Sequence, residues 1–117
     1  MEISITDQQS YITVKPVGEI DAHSSIEVDE KLQELIASGH KFFHLDVSEL
    51  TYISSAGLGV IISQLDLLNE KQGKLIISGP NEGVMEVFEL LGLNQLLTIL
   101  ENDATVGTYF QSNESVS

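Results

Sequence analysis

Apolar and polar residues alternate in two short runs near the start of the chain, "EISIT" and "YITVKPV", on either side of the polar stretch "DQQS". A period of two gives an extended chain one face to bury, so the two runs predict an N-terminal hairpin. Pro16 has no amide to give to a ladder and is expected at an edge, a bulge or a strand end. The period then lengthens. In "GEIDAHSSIEVDEKLQELIASGHK", Val28, Leu32, Leu35 and Ile36 recur at helical spacing, Ser24 with Glu27 suggests a capping box, and Gly39 supplies a stop. "KFFHLDV" reads as a strand, and "KLIISG" as a strand buried on both faces. Asn81 is expected to cap a helix that carries Val84, Val87, Phe88 and Leu91 and stops at Gly92. "LLTIL" reads as a last strand, "NDATVGTYF" as a weak terminal helix, and "QSNESVS" as a frayed tail.

Strand and helix alternate after the hairpin, which predicts an α/β fold: a mixed, mostly parallel sheet with about four helices packed on it. A chain of 117 residues suits one core, and the pattern places a single domain over residues 1–110 with the tail at 111–117. In such sheets, function gathers in loops at the carboxyl ends of the strands. Two loops qualify, "GEIDAHSS" before the first helix and "SELTYISSAG" before the second.

The second of these loops ends in Ser54 and Ser55, at the start of a helix that runs through "AGLGVIISQLDLL". A serine there can be a cap, a nucleophile or a phosphorylation site, because the first turn of a helix offers free amides to a hydroxyl or to a phosphate. Ser55, just before Ala56 and the helical stripe, is expected at or next to the N-cap, as both cap and phosphate acceptor. The helix carries Leu58, Ile61, Ile62, Leu65 and Leu68 on one face, a core stripe. Ala56, Gly59, Val60, Ser63 and Leu67 share the opposite face, where Lys, Glu and Gln would be usual. Gly59 weakens the helix by about 1 kcal/mol relative to Ala. Small apolar residues beside two serines suit close approach of another protein.

Charge narrows the range of partners. Eighteen acids stand against five Lys and no Arg, a formal charge of −13. Nucleic acid and anionic membranes both need basic side chains, so neither is an expected partner; a basic protein surface is. An apolar share of 42% is that of a globular chain, yet no apolar run approaches the ~20 residues of a membrane span. Without cysteine, and without the basic and apolar regions of a signal peptide at its start, the chain reads as cytoplasmic.

Catalytic arrangements fit poorly. A nucleophile elbow needs glycine two residues before its serine, and Ile53 stands there instead. His40 follows a helix end and His44 lies in a strand; only His23, near Asp21, is placed by the loops, which keeps a serine hydrolase using Ser55 as a remote alternative. No phosphate loop, dinucleotide loop or His/Cys cluster with metal spacing is present in the sequence, so no catalytic residue, cofactor or metal is expected.

"DVSELTYISSAGLGVI", with "GEID" upstream, resembles the STAS domain, specifically the bacterial anti-sigma factor antagonists. The resemblance covers almost the whole chain. It implies a phosphorylation-controlled partner switch that binds an anti-sigma factor, itself a serine kinase, and so frees the sigma factor. Phosphorylation would break the complex and a PP2C-type phosphatase would restore it. The matching phosphoserine is Ser55, and Asp21 falls in the loop that helps form the kinase-facing surface. Many antagonists carry Asp immediately before the phosphorylated serine; Ser54 stands there in this chain and is a second acceptor candidate. The same departure keeps open a constitutive STAS subunit of a signalling or transport assembly. The implied partner surface comprises Asp21, Ser54, Ser55, Ala56, Gly57, Leu58, Gly59, Val60, Ser63 and Leu67. A phosphate at the start of the helix meets the positive end of its dipole, so the fold is expected to survive while the charge, about −1.5 to −2, disrupts a packed partner.

Overall fold

A computed structural model describes residues 1–110, and the tail expected at 111–117 lies outside the described residues. The hairpin forms as the alternation predicts. Strand β1 (Glu2–Asp7) pairs antiparallel with β2 (Ile12–Ile20), from Glu2 opposite Val17 to Asp7 opposite Ile12. Helix α1 (Ser24–Ala37) leads to β3 (Phe42–Asp46), and helix α2 (Ser55–Glu70) follows β4 (Leu50–Ile53) and precedes β5 (Lys74–Ser78). Helices α3 (Glu82–Leu90) and α4 (Leu93–Leu96) then lead to β6 (Thr98–Leu100), and residues 106–110 are helical.

The sheet runs β1-β2-β3-β5-β6, with β4 added to β2, and every pairing except β1 with β2 is parallel. Pro16, expected at an edge, a bulge or a strand end, lies inside β2, two residues before the register shift at Gly18 and Glu19. Its lack of an amide is tolerated because β2 changes partner around it, pairing with β3 up to Val14 and with β4 from Gly18 onward.

Side chains alternate across each strand, so the two faces of the sheet can be separated. Ile12, Val14, Phe43, Leu45, Leu75 and Ile77 join Val28, Leu32, Leu58, Ile61, Val84 and Phe88 in the main core. On the other face, Ile76 packs with Val106 and Phe110, and Tyr11 stacks on Phe110 at 4.5 Å between centroids. That second face also buries a polar row. His44 Nδ1 lies 3.0 Å from Thr13 Oγ1 and its Nε2 lies 2.7 Å from Ser78 Oγ. Burial lowers the His44 pKa below the usual imidazole value, against smaller opposing effects of Asp46 and Asp103. His44 is thus a satisfied core histidine and not an exposed one.

Gly39 ends α1 with φ +105°, and Gly92 follows α3 with φ +73°, both conformations that glycine adopts without a Cβ penalty. Asn81 Oδ1 accepts from the Val84 amide at 2.8 Å, the expected cap of α3, although Leu91 is exposed rather than part of its buried stripe. The Ser24–Glu27 capping box does not form. Glu27 instead meets the N-terminal ammonium at 2.9 Å, and the cap moves upstream to Asp21.

Candidate functional site

The two loops singled out by the sequence meet because β2 and β4 are parallel neighbours that end together. Ile20 pairs with Ile53, and the Ser54 amide donates to the Ile20 carbonyl at 2.8 Å. Asp21 therefore leaves the sheet beside Ser54. Strand β4 itself was not expected; its sequence reads as an irregular apolar stretch, with Leu50 and Ile53 buried and Thr51 and Tyr52 exposed.

Asp21 organises the first loop through its own backbone and side chain. Its Oδ1 accepts from the amides of His23 at 3.0 Å and Ser24 at 2.8 Å, while its carbonyl accepts from the Ser25 amide at 2.9 Å. In return, the Asp21 amide donates to Ser24 Oγ at 2.9 Å. This is the reciprocal arrangement of a capping box, built from Asp21 and Ser24. The hydroxyl of Ser24 points to the Glu19 carbonyl at 2.8 Å, with Asp21 Oδ1 at 3.0 Å. The Ser24 amide, then its hydroxyl and the His23 amide hold the Asp21 carboxyl below the usual carboxylate range, so it is ionised at the surface.

The sequence predicts both roles, cap of the helix and phosphate acceptor, for Ser55; the structure gives the cap to Ser54, because it is the Ser54 hydroxyl that reaches the Gly57 amide. Ser54 is the N-cap of α2, in extended conformation, and its Oγ accepts from the Gly57 amide at 3.2 Å; its carbonyl accepts from the Leu58 amide at 3.0 Å. Ser55 is the first helical residue and is exposed. It belongs to the first turn, whose amides have no intrahelical acceptor. No acidic residue lies in the first turn of α2, whereas Glu27 and Glu82 lie in those of α1 and α3. In so acidic a protein, the positive end of the α2 dipole is left without a carboxylate of its own.

The expected partner face is corrected at two positions. Gly57 and Leu58 point into the core, Leu58 at 3% exposure, and do not reach the surface. A Cβ on Gly57 would meet Ile20 Cγ2 at 2.7 Å and Ile53 Cγ1 at 2.8 Å, so glycine is required for α2 to seat on the two strand ends. Ala56, Gly59 and Ser63 are exposed, while Val60 and Leu67 are half-buried against the core. Ile62, expected in the core stripe, is 36% exposed. Gln64 takes the buried side in its place, donating from Nε2 to Asp29 Oδ1 on α1 at 2.6 Å. The exposed face thus runs from Ser55 and Ala56 through Gly59 to Ile62 and Ser63.

Among the described residues, no histidine hydrogen-bonds Ser54 or Ser55, and no group of three or more acidic or histidine side chains converges as a metal site. No helix of the described residues is long and apolar enough to cross a membrane.

Comparison with known proteins agrees with this architecture. The family model for the STAS domain matches residues 2–106. An anti-sigma-B factor antagonist of Staphylococcus aureus (strain NCTC 8325 / PS 47) is 29% identical over 101 residues, covering 86% of this chain and 94% of that protein. The fold is shared with an anti-sigma factor antagonist from Mycobacterium paratuberculosis, at TM-score 0.86 and 16% identity over 94% of this chain and 93% of the other. It is shared too with the Bacillus cell fate determinant SpoIIAA in its phosphorylated form, at TM-score 0.74 and 17% identity over 92% of this chain and 99% of the other.

Proposed function

The chain belongs to the STAS domain family, and from that premise we propose that it is a non-enzymatic, cytoplasmic anti-sigma factor antagonist whose single domain spans residues 1–110. Its unphosphorylated form binds an anti-sigma factor that is also a serine kinase, and the sigma factor is released. Phosphorylation of Ser55 ends that binding, and a PP2C-type phosphatase restores it. The observation that carries this reading is the division between the two serines: Ser54 is committed as the cap of α2, and Ser55 is exposed one residue later.

A phosphate on Ser55 would meet unpaired amides at the positive end of α2, each such favourable charge being worth about 0.3–1 kcal/mol. The fold is therefore retained. The docking face changes instead, because Ala56 and Gly59 lie on the exposed turns that follow and a partner packed there would have to bury an unmatched dianion. Asp21, beside Ser54 and ionised, contributes a fixed negative point at the rim of the same surface.

The test is reaction with ATP and an anti-sigma factor kinase of the source organism, followed by phosphopeptide mapping and calorimetric titration of both forms. Label on Ser55 and loss of binding are expected. Label confined to Ser54 overturns the acceptor assignment. A chain that takes no label on either serine and binds its partner in the presence of ATP is a constitutive STAS subunit instead.

A further inference from the structure

The last parallel strand and the third helix enclose a groove of about 380 Å³ that plays no part in the serine site. Met85, Ile99 and Leu100 line it, all half-buried, and Glu82, Glu89 and Glu101 stand exposed around them. None of these three carboxylates has an ion-pair partner among the described residues. The chain cannot readily supply one, since Lys74 is the last basic residue and neither α3, α4 nor β6 carries another. Strand β6 is also an end of the sheet: among the described residues it pairs with β5 on one side and with no strand on the other.

We propose that this groove is a second protein-docking surface, and that its occupant is an extended basic segment of another protein. The segment would add to the open edge of β6 through its main chain, set an apolar side chain on Met85 and Ile99, and direct lysine or arginine toward Glu82, Glu89 and Glu101. An open edge strand offers main-chain hydrogen bonds that are indifferent to sequence, and the side chains around it supply the selection. Here the selecting chemistry is apolar at the floor and anionic at the rim. A second copy of this chain fits poorly, because two such rims brought together would repel in a protein of formal charge −13.

The probe is an acetylated and amidated peptide repeating lysine, serine, valine and serine, so that lysine and valine share one face of the extended chain, titrated into 15N-labelled protein at physiological ionic strength. Amide shifts are expected along Glu82–Glu89 and Thr98–Glu101, with slowed exchange of the β6 amides and no change at Ser55. The variant carrying Glu82→Gln, Glu89→Gln and Glu101→Gln is expected to bind about tenfold more weakly. A control with the same loss of charge, Glu2→Gln, Glu30→Gln and Glu70→Gln at exposed positions outside the groove, is expected to bind within about twofold of the original. All six positions are exposed, and circular dichroism checks that both variants fold. Equal losses in the two variants, shifts spread over the whole acidic surface, or no saturable binding would each overturn the proposal. A failure of phosphorylation at Ser55 has no bearing on these results, so the two readings fail separately.

Discussion

Ile20 and Ile53 lie side by side at the ends of parallel strands, and the Ile20 carbonyl accepts the Ser54 amide at 2.8 Å. This one pairing brings the loop of Asp21 to the start of α2. Gly57 completes the junction from above, seated against both isoleucines. The serine site is thus held by the core, and its geometry depends on three buried residues.

Gly57→Ala is expected to destabilise the domain by about 1–3 kcal/mol, since the added methyl must displace Ile20 and Ile53 or lift the first turn of α2. Urea denaturation measures the loss. An unchanged midpoint would mean that the strand ends yield without strain.

The long periodic segments were legible because each buries one face. Val28, Leu32 and Ile36 in α1 and Leu58, Ile61, Leu65 and Leu68 in α2 are all in the core where their spacing puts them. Strand β4 escaped because four residues cannot display a period, and Thr51 and Tyr52 break even the apolar run. Ile62 yields the buried side to Gln64 for a tertiary reason: Asp29 on the neighbouring helix gives the Gln64 amide a partner, and nothing local to α2 signals this. Asn81 caps α3 as expected, but the caps of α1 and α2 were missed by a few residues at most. Whether Ser54 or Ser55 caps α2 is decided by which hydroxyl reaches the Gly57 amide, a difference of one residue that the pattern does not resolve.

That one-residue difference gives opposite expectations for two alanine variants. Ser54→Ala removes the cap and should lower stability by about 0.5–2 kcal/mol. Ser55→Ala removes an exposed hydroxyl and should leave stability nearly unchanged while abolishing phosphate incorporation. Paired denaturation curves and a kinase reaction separate them. If Ser55→Ala is the more destabilising of the two, the division of roles is wrong.

The buried imidazole of His44 sets a pH dependence whose sign follows from its environment. Burial depresses its pKa below the ordinary 6.5, despite Asp46 and Asp103, so the unfolded chain binds the proton more readily than the folded one. The contribution is fully present above the unfolded pKa and is lost progressively as the pH falls below it, toward the depressed folded value. His44→Gln has no such group to titrate. Stability measured from about pH 7.5 to about pH 5 should therefore fall more steeply for the original protein than for the variant. Parallel curves would show that the imidazole takes its proton without loss of the Thr13 and Ser78 contacts.

Gly59 separates helix stability from docking. A Cβ there meets nothing within 4 Å, so Gly59→Ala introduces no clash in the free protein. It removes the backbone entropy penalty of glycine inside a helix, and the domain should gain about 0.5–1 kcal/mol. The methyl projects from the exposed face that begins at Ser55 and Ala56 and continues to Ile62 and Ser63. A partner that approaches this face closely loses fit, so the more stable variant should bind its anti-sigma factor less tightly. Ser55→Glu tests the same face by charge, and it should weaken binding without unfolding the chain. Thermal denaturation and calorimetric titration of both variants give the two quantities independently. A Gly59→Ala protein that is stabilised and still binds at full affinity would move the docking surface away from the exposed turns of α2. It would leave Ser55 without a packed neighbour for its phosphate to disrupt.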